Sequence, residues 1–242
     1  IPASPTKNVT LSMNVDSRAD VQQFDVNNPD KTSNFNTSMV VFDNVGTQRL
    51  ITMYYNKVAD GQWQYHATVP GEDAQGGQPG TLVEMASGTL QFDPKGKLQS
   101  ETSSQNAFNF NKGAEAGQVI EFDFGKSISE GGNGDDATTQ FGSNSSIARH
   151  TQDGSSAATL SSLSFNDEGV LTAAYDNGTM RDVAQVGVAK FENNEGLFKM
   201  GKNLFKETRK SGQAAVGKPG ADGRGDVMAK SIELSNVDIA DE

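Results

Sequence analysis

In VTLSMNV (residues 9–15) every second residue is apolar, so Val9, Leu11, Met13 and Val15 fall on one side of an extended chain. The same period of two returns in WQYHATV with Trp63, Tyr65, Ala67 and Val69, and in VIEFDF with Ile120, Phe122 and Phe124. Residues i, i+2 and i+4 share one face of a strand, so each stretch predicts a half-buried strand. RLITMYYNKV (49–58) is denser in apolar and aromatic residues and predicts burial on both faces. ADG at 59–61 supplies a hairpin turn into the Trp63 strand. Twenty-six glycines and a hydrophobic content of only 34% fit many turns and thin cores. The expected class is all-β, with two β-rich domains of barrel-like or sandwich-like form.

The turns carry a pattern of their own. FDNVG (42–46), FDPKG (92–96) and FNDEG (165–169) each run from Phe through polar residues to Gly. Glycine tolerates a positive φ, and Asp or Asn bonds its own nearby backbone, so these read as three β-turns leaving a core Phe. Their unequal spacing argues against a true repeat. Helix signals are few: NEGLFKMGKNLFKETRKSG (194–212) is interrupted by Gly196 and Gly201 and reads as an ordered loop. A long, mobile loop is expected at 125–146, with further loops at 70–80 and 214–226. Loop-like composition around 142–158 marks a boundary between domains at 1–150 and 151–242.

Charge and residue inventory exclude several functions. With 31 acidic against 20 basic residues the chain carries a net charge of −11, which repels nucleic-acid backbones and anionic lipid. The absence of cysteine removes disulfides, thiol catalysis and Cys-based zinc sites. No stretch approaches the ~18–20 apolar residues that span a bilayer. His66 lies opposite the Trp63–Tyr65 face and reads as solvent-facing, while His150 falls in the boundary loop. No His pair and no nucleophile elbow supports catalysis, so no catalytic residue, cofactor or metal is assigned. Glu130, Asp135 and Asp136 offer oxygen ligands without a calcium-loop register. Arg-Gly-Asp at 224–226 reads as a coincidence of a glycine-rich loop.

The last residues, ELSNVDIADE, look like the start of a helix. Ser235 followed three residues later by Asp238 is a capping-box pattern, and Asp241 and Glu242 suit the positive end of a helix dipole. The chain begins at Ile1 with no signal sequence, and it reads as cut at both ends.

In the second half YDNG (175–178), VAKFENNEGL (188–197), SG (211–212) and LSNVDIADE (234–242) follow one another in that order. With these most specific pieces the second half resembles the bacterial flagellar hook protein family. Residues 1–149 are similar through IPA, VVFDNVG (40–46) and LQFDPKGKL (90–98). The terminal motif is shared with rod and hook-associated proteins.

The resemblance implies a self-assembling subunit of a curved tube that acts as a universal joint. It would be extracellular and exported by the flagellar type III apparatus without a cleaved signal. Its partners would be further copies of itself, with rod and hook-associated proteins at the tube's ends. Residues 1–150 would form an outer domain, and 151–242 the C-terminal part of a discontinuous inner domain leading to a missing helix. The residues carrying the assembly motif are Asn193, Gly196, Leu197, Ser235, Asn236, Val237 and Asp238. The loops at 70–80 and 125–146 are expected to make outer-domain contacts. Two alternatives remain open: a distal rod or other axial protein, and an extracellular β-sandwich adhesin or carbohydrate-binding module.

Overall fold

The computed structural model describes residues 1–232, and its architecture is all-β, divided into two compact units, Ile1–Ala157 and Ala158–Glu242. In the first unit the strands are β1 (Asn8–Asn14), β2 (Phe35–Phe42), β3 (Gln48–Ala59), β4 (Gln62–Pro70), β5 (Leu82–Phe92), β6 (Leu98–Phe108), β7 (Gln118–Val119), β8 (Glu121–Asp123) and β9 (Ser146–Gln152). β2 to β7 form a six-stranded antiparallel meander in chain order. A second sheet has the order β8-β1-β9, with β8 parallel and β9 antiparallel to β1. One four-residue helix, α1 (Pro29–Thr32), lies in the link between β1 and β2.

The alternating residues build one core between these sheets. Val9, Leu11, Met13 and Val15 meet Trp63, Tyr65, Ala67 and Val69, with Ile120, Phe122 and Phe124 in the same cluster. Tyr65 packs at 4.9 Å from Phe124, and Tyr55 sets its ring edge-on to Phe124 at 6.2 Å. On β3 the five consecutive residues Met53–Lys57 are buried, the two-faced burial expected of this strand. Its second face is closed by residues 20–34, where Phe24 stacks 4.0 Å from His66. His66 is therefore not solvent-facing: it lies beneath Phe24 and bonds Glu84 at 2.9 Å.

The loop at 125–146 is bound along its length. Ser127, Ala137 and Thr138 are buried, Thr138 N donates to Phe124 O, and Thr139 exchanges backbone bonds with Met13 and Val15. Lys97 holds Asp135 at 2.6 Å, and Trp63 Nε1 reaches Gln140 Oε1 at 3.2 Å. Composition reads 142–158 as loop-like, yet 146–152 form β9 because β1 presents a free edge to pair with. His150 accordingly sits in a strand.

The three Phe-to-Gly turns share one wiring. Asp43, Asp93 and Asn166 each accept two backbone N–H bonds through their side chains, and Gly46, Gly96 and Gly169 adopt φ of 84, 80 and 70°. Only one of the preceding aromatics, Phe92, is buried; Phe42 is half-buried and Phe165 is exposed.

The second unit is built from small sheets. β10 (Leu160–Phe165), β11 (Val170–Tyr175) and β12 (Met180–Gln185) form an antiparallel meander. β13 (Val188–Lys190) pairs with β16 (Ala215–Gly217), and β14 (Phe198–Gly201) with β15 (Leu204–Lys206). Residues 194–212, expected as an ordered loop, thus hold a 3-10 turn and a hairpin.

Candidate assembly surface

Asn193, Gly196 and Leu197 come together in one turn at the base of the β14–β15 hairpin. The Asn193 side chain accepts the Glu195 N–H at 3.1 Å, and Gly196 N and Leu197 N close the turn onto the carbonyls of Asn193 and Asn194. Across the base, Asn193 N donates to Ser211 O at 3.3 Å, and Thr208 Oγ1 donates to Gly196 O at 2.6 Å. Ser211 is fully buried; its hydroxyl accepts from Thr208 N at 2.8 Å. A Cβ on residue 196 would stand 2.6 Å from both Lys210 C and Ser211 N, so this crossing requires glycine. Thr208 and Ser211 are not among the expected site residues. Their signal is a Thr-x-x-Ser spacing that lets two hydroxyls close one turn. Ser235, Asn236, Val237 and Asp238 lie outside the described residues.

This knot holds out a hairpin with apolar and cationic side chains. Phe198, Met200, Leu204 and Phe205 are 56–61% exposed. Lys202 and Asn203 turn the chain with φ of 52 and 60°, the paired left-handed conformation of a type I′ turn. Lys199, Lys202, Lys206, Arg209 and Lys210 are exposed and, among the described residues, join no ion pair.

A second exposed apolar face belongs to the meander. By register Leu163 and Phe165 of β10 lie on the same side as Ala173 and Leu171 of β11. Ala173 is buried, but Leu163 and Phe165 stay about half exposed, with exposed Leu160 further along β10; Met180 pairs with Ala174 and so lies on the other face. A sheet patterned for a core usually buries that face against a second layer.

The first unit has a different character. Arg49 is buried and donates to Asp43 and Asp73 at 2.9 Å each, and to the carbonyl of Asn111 at 2.7 Å, with Phe110 5.4 Å away. Glu101 accepts Phe124 N at 3.0 Å. Desolvation, reinforced by Asp123 and Glu130, pushes its carboxyl up to about 7. Glu130 caps its own 3-10 turn and Asp135 pairs with Lys97; among the described residues no three acidic or histidine side chains converge as metal ligands. Arg224 turns into its own loop, bonding Ala215 O, Ala221 O and Asp222, so Arg-Gly-Asp is not displayed as a free triplet.

The family model described as "Flagellar basal body protein FlaE D2 domain" matches residues 14–155. The chain belongs to that family. It is 28% identical to "Flagellar hook protein FlgE" of Treponema pallidum (strain Nichols), over 100% of its own length and 57% of the relative's. It is 31% identical to the Helicobacter pylori (strain ATCC 700392 / 26695) protein of that name, over 84% of this chain and 28% of the relative. Against the Escherichia coli (strain K12) protein the identity is 29%, over 99% and 56%. The chain thus spans little more than half of the first and third relatives and about a quarter of the second. The crystal structure of Helicobacter pylori flagellar hook protein FlgE2 superposes with a TM-score of 0.55 at 20% identity, covering 74% of this chain and 38% of that one. This superposition agrees with the all-β fold described above.

Proposed function

We propose that this chain is a portion of a structural subunit of the bacterial flagellar hook, a homopolymer that forms a curved tube and passes torque from motor to filament. The FlaE D2 match over 14–155 carries this reading; among the described residues, Leu163 and Phe165 of the second unit stay about half exposed, which fits an incomplete domain. On this reading, the first unit is the outer domain of the subunit. The second unit is the C-terminal part of an inner domain, completed by segments that the longer relatives possess and these 242 residues do not. Such an incomplete domain accounts for Leu163 and Phe165 meeting solvent on a face patterned for a core.

The role is mechanical rather than catalytic. The subunit would be exported by the flagellar type III apparatus to the extracellular hook, flanked by rod and hook-associated proteins. Bending requires contacts that break and re-form, which suits small polar interfaces. The loop at 125–146 and the loop at 70–80, where Gln75 N bonds Asn109 O at 2.8 Å and Gly71 N bonds Thr81 O at 2.8 Å, offer such contacts from fixed positions.

Electron microscopy of this chain beside a version carrying the native flanking segments tests the reading. Tubes are expected from the extended protein alone. If both remain monomeric in assembly-promoting salt, the hook assignment is overturned.

A further inference from the structure

The β14–β15 hairpin and one strip of the first unit are complementary in charge, and among the described residues neither finds an ion-pair partner; the strip's carboxylates instead accept hydrogen bonds from Asn106 Nδ2, Phe124 N, Gly125 N and Ser127 N. Residues 198–210 hold five cations against one carboxylate, Glu207, in a chain of net charge −11. In the first unit, Glu121 and Asp123 point outward from β8 on either side of buried Phe122. Glu101 reaches the backbone just beyond that strand, and Glu130 lies close enough to raise its proton affinity. Among the described residues none of these four carboxylates joins an ion pair, although Lys126 partly offsets Glu130. Val119, about half exposed, gives the strip an apolar neighbour on the edge strand β7.

We propose that the β14–β15 hairpin of one copy docks on the Glu101–Glu121–Asp123–Glu130 strip of a second copy. The four exposed apolar side chains of the hairpin supply contact area, and its lysines pair with the carboxylates. Complementary charge of this kind fixes orientation and register more than raw affinity. The contact joins two different surfaces, so it is heterologous; where its rotation does not close a ring it repeats along an open helix, as a tubular polymer requires. It rests on the hook-subunit reading for its setting but names the partner surface independently.

A charge swap tests it. In sedimentation velocity at low ionic strength the 242-residue chain should self-associate, and salt should suppress the association. K199E/K202E/K206E and, separately, E121K/D123K should each weaken it about tenfold or more, the loss of roughly 1.4 kcal/mol. Both variants should keep the melting profile of the parent. Mixing the two should restore association, because the reversed hairpin then meets the reversed strip. Unchanged association in either variant, no recovery on mixing, or a parent that stays monomeric would each overturn the docking. In the longer protein with native flanks, tubes formed unchanged by K199E/K202E/K206E would overturn the docking while leaving the hook reading intact. An unsubstituted long protein that forms no tubes would strike the hook reading instead.

Discussion

Single residues in both units do work that no neighbour can replace. Gly196 passes so close to the backbone of Lys210 and Ser211 that a methyl group has no room. Gly196→Ala should destabilise the second unit by roughly 1–3 kcal/mol, the usual range for overpacking, read as a lower melting temperature. Arg49 is the opposite case, a buried charge whose removal leaves Asp43 buried without its cation. Arg49→Met should cost the first unit roughly 3–5 kcal/mol, measurable by urea unfolding. Glu101 sets a pH dependence. Its folded-state affinity for a proton lies above the unfolded one, so its contribution favours the fold at low pH and is lost as pH rises through about 7. Glu101→Gln should therefore raise stability at pH 8, by about 1 kcal/mol after screening at a half-exposed site, and change it little near pH 5. Equal effects at both pH values would contradict this.

At the scale of elements, the strands were legible wherever one face met a core, because burial and the pleat impose the same period of two. Val9–Val15, Trp63–Val69 and Ile120–Phe124 all fall where alternation puts them. The β14–β15 hairpin escaped because its apolar residues flank a Lys-Asn turn instead of Asn-Gly, and because glycines at 196 and 201 look like breaks. The knot was half legible: Asn193 and Gly196 stand out, while Ser211 matters only through a bond closed 18 residues further along the chain. His66 misleads for a similar reason, since the ring that covers it comes from Phe24, 42 residues earlier. The pinned loop at 125–146 gives no local sign either, its partners lying far off in sequence at Met13 and Val15, at Trp63 and at the Gly96–Lys97 turn. Replacing Lys202-Asn203 by Asn-Gly should stabilise the hairpin by about 0.5–1 kcal/mol, since both positions need positive φ. A raised melting temperature for the second unit alone would bear this out.

Over the whole molecule, stability is uneven. The first unit closes two sheets around one continuous aromatic and aliphatic core. The second leaves its strands β10 and β12 exposed throughout. Calorimetry should resolve two transitions, the second unit melting first, and limited proteolysis should yield a resistant fragment ending near Ala157. A single cooperative transition would contradict this division.

The first unit also gathers its entry and exit at one place. Ser4 and Ser155 exchange backbone bonds, Thr6 bonds Gln152, and Asp153 takes the N–H groups of Lys7 and Asn8. Such neighbouring ends let a domain sit as an insertion on another. Tension applied through the chain would enter at Ser4 and leave at Ser155, pulling an antiparallel pair apart from its end, one bond at a time, like a zipper. The six-stranded meander would carry no load until that stitching had opened. The unit would behave as a bead hung from a short seam, shielded from stretching while the seam holds.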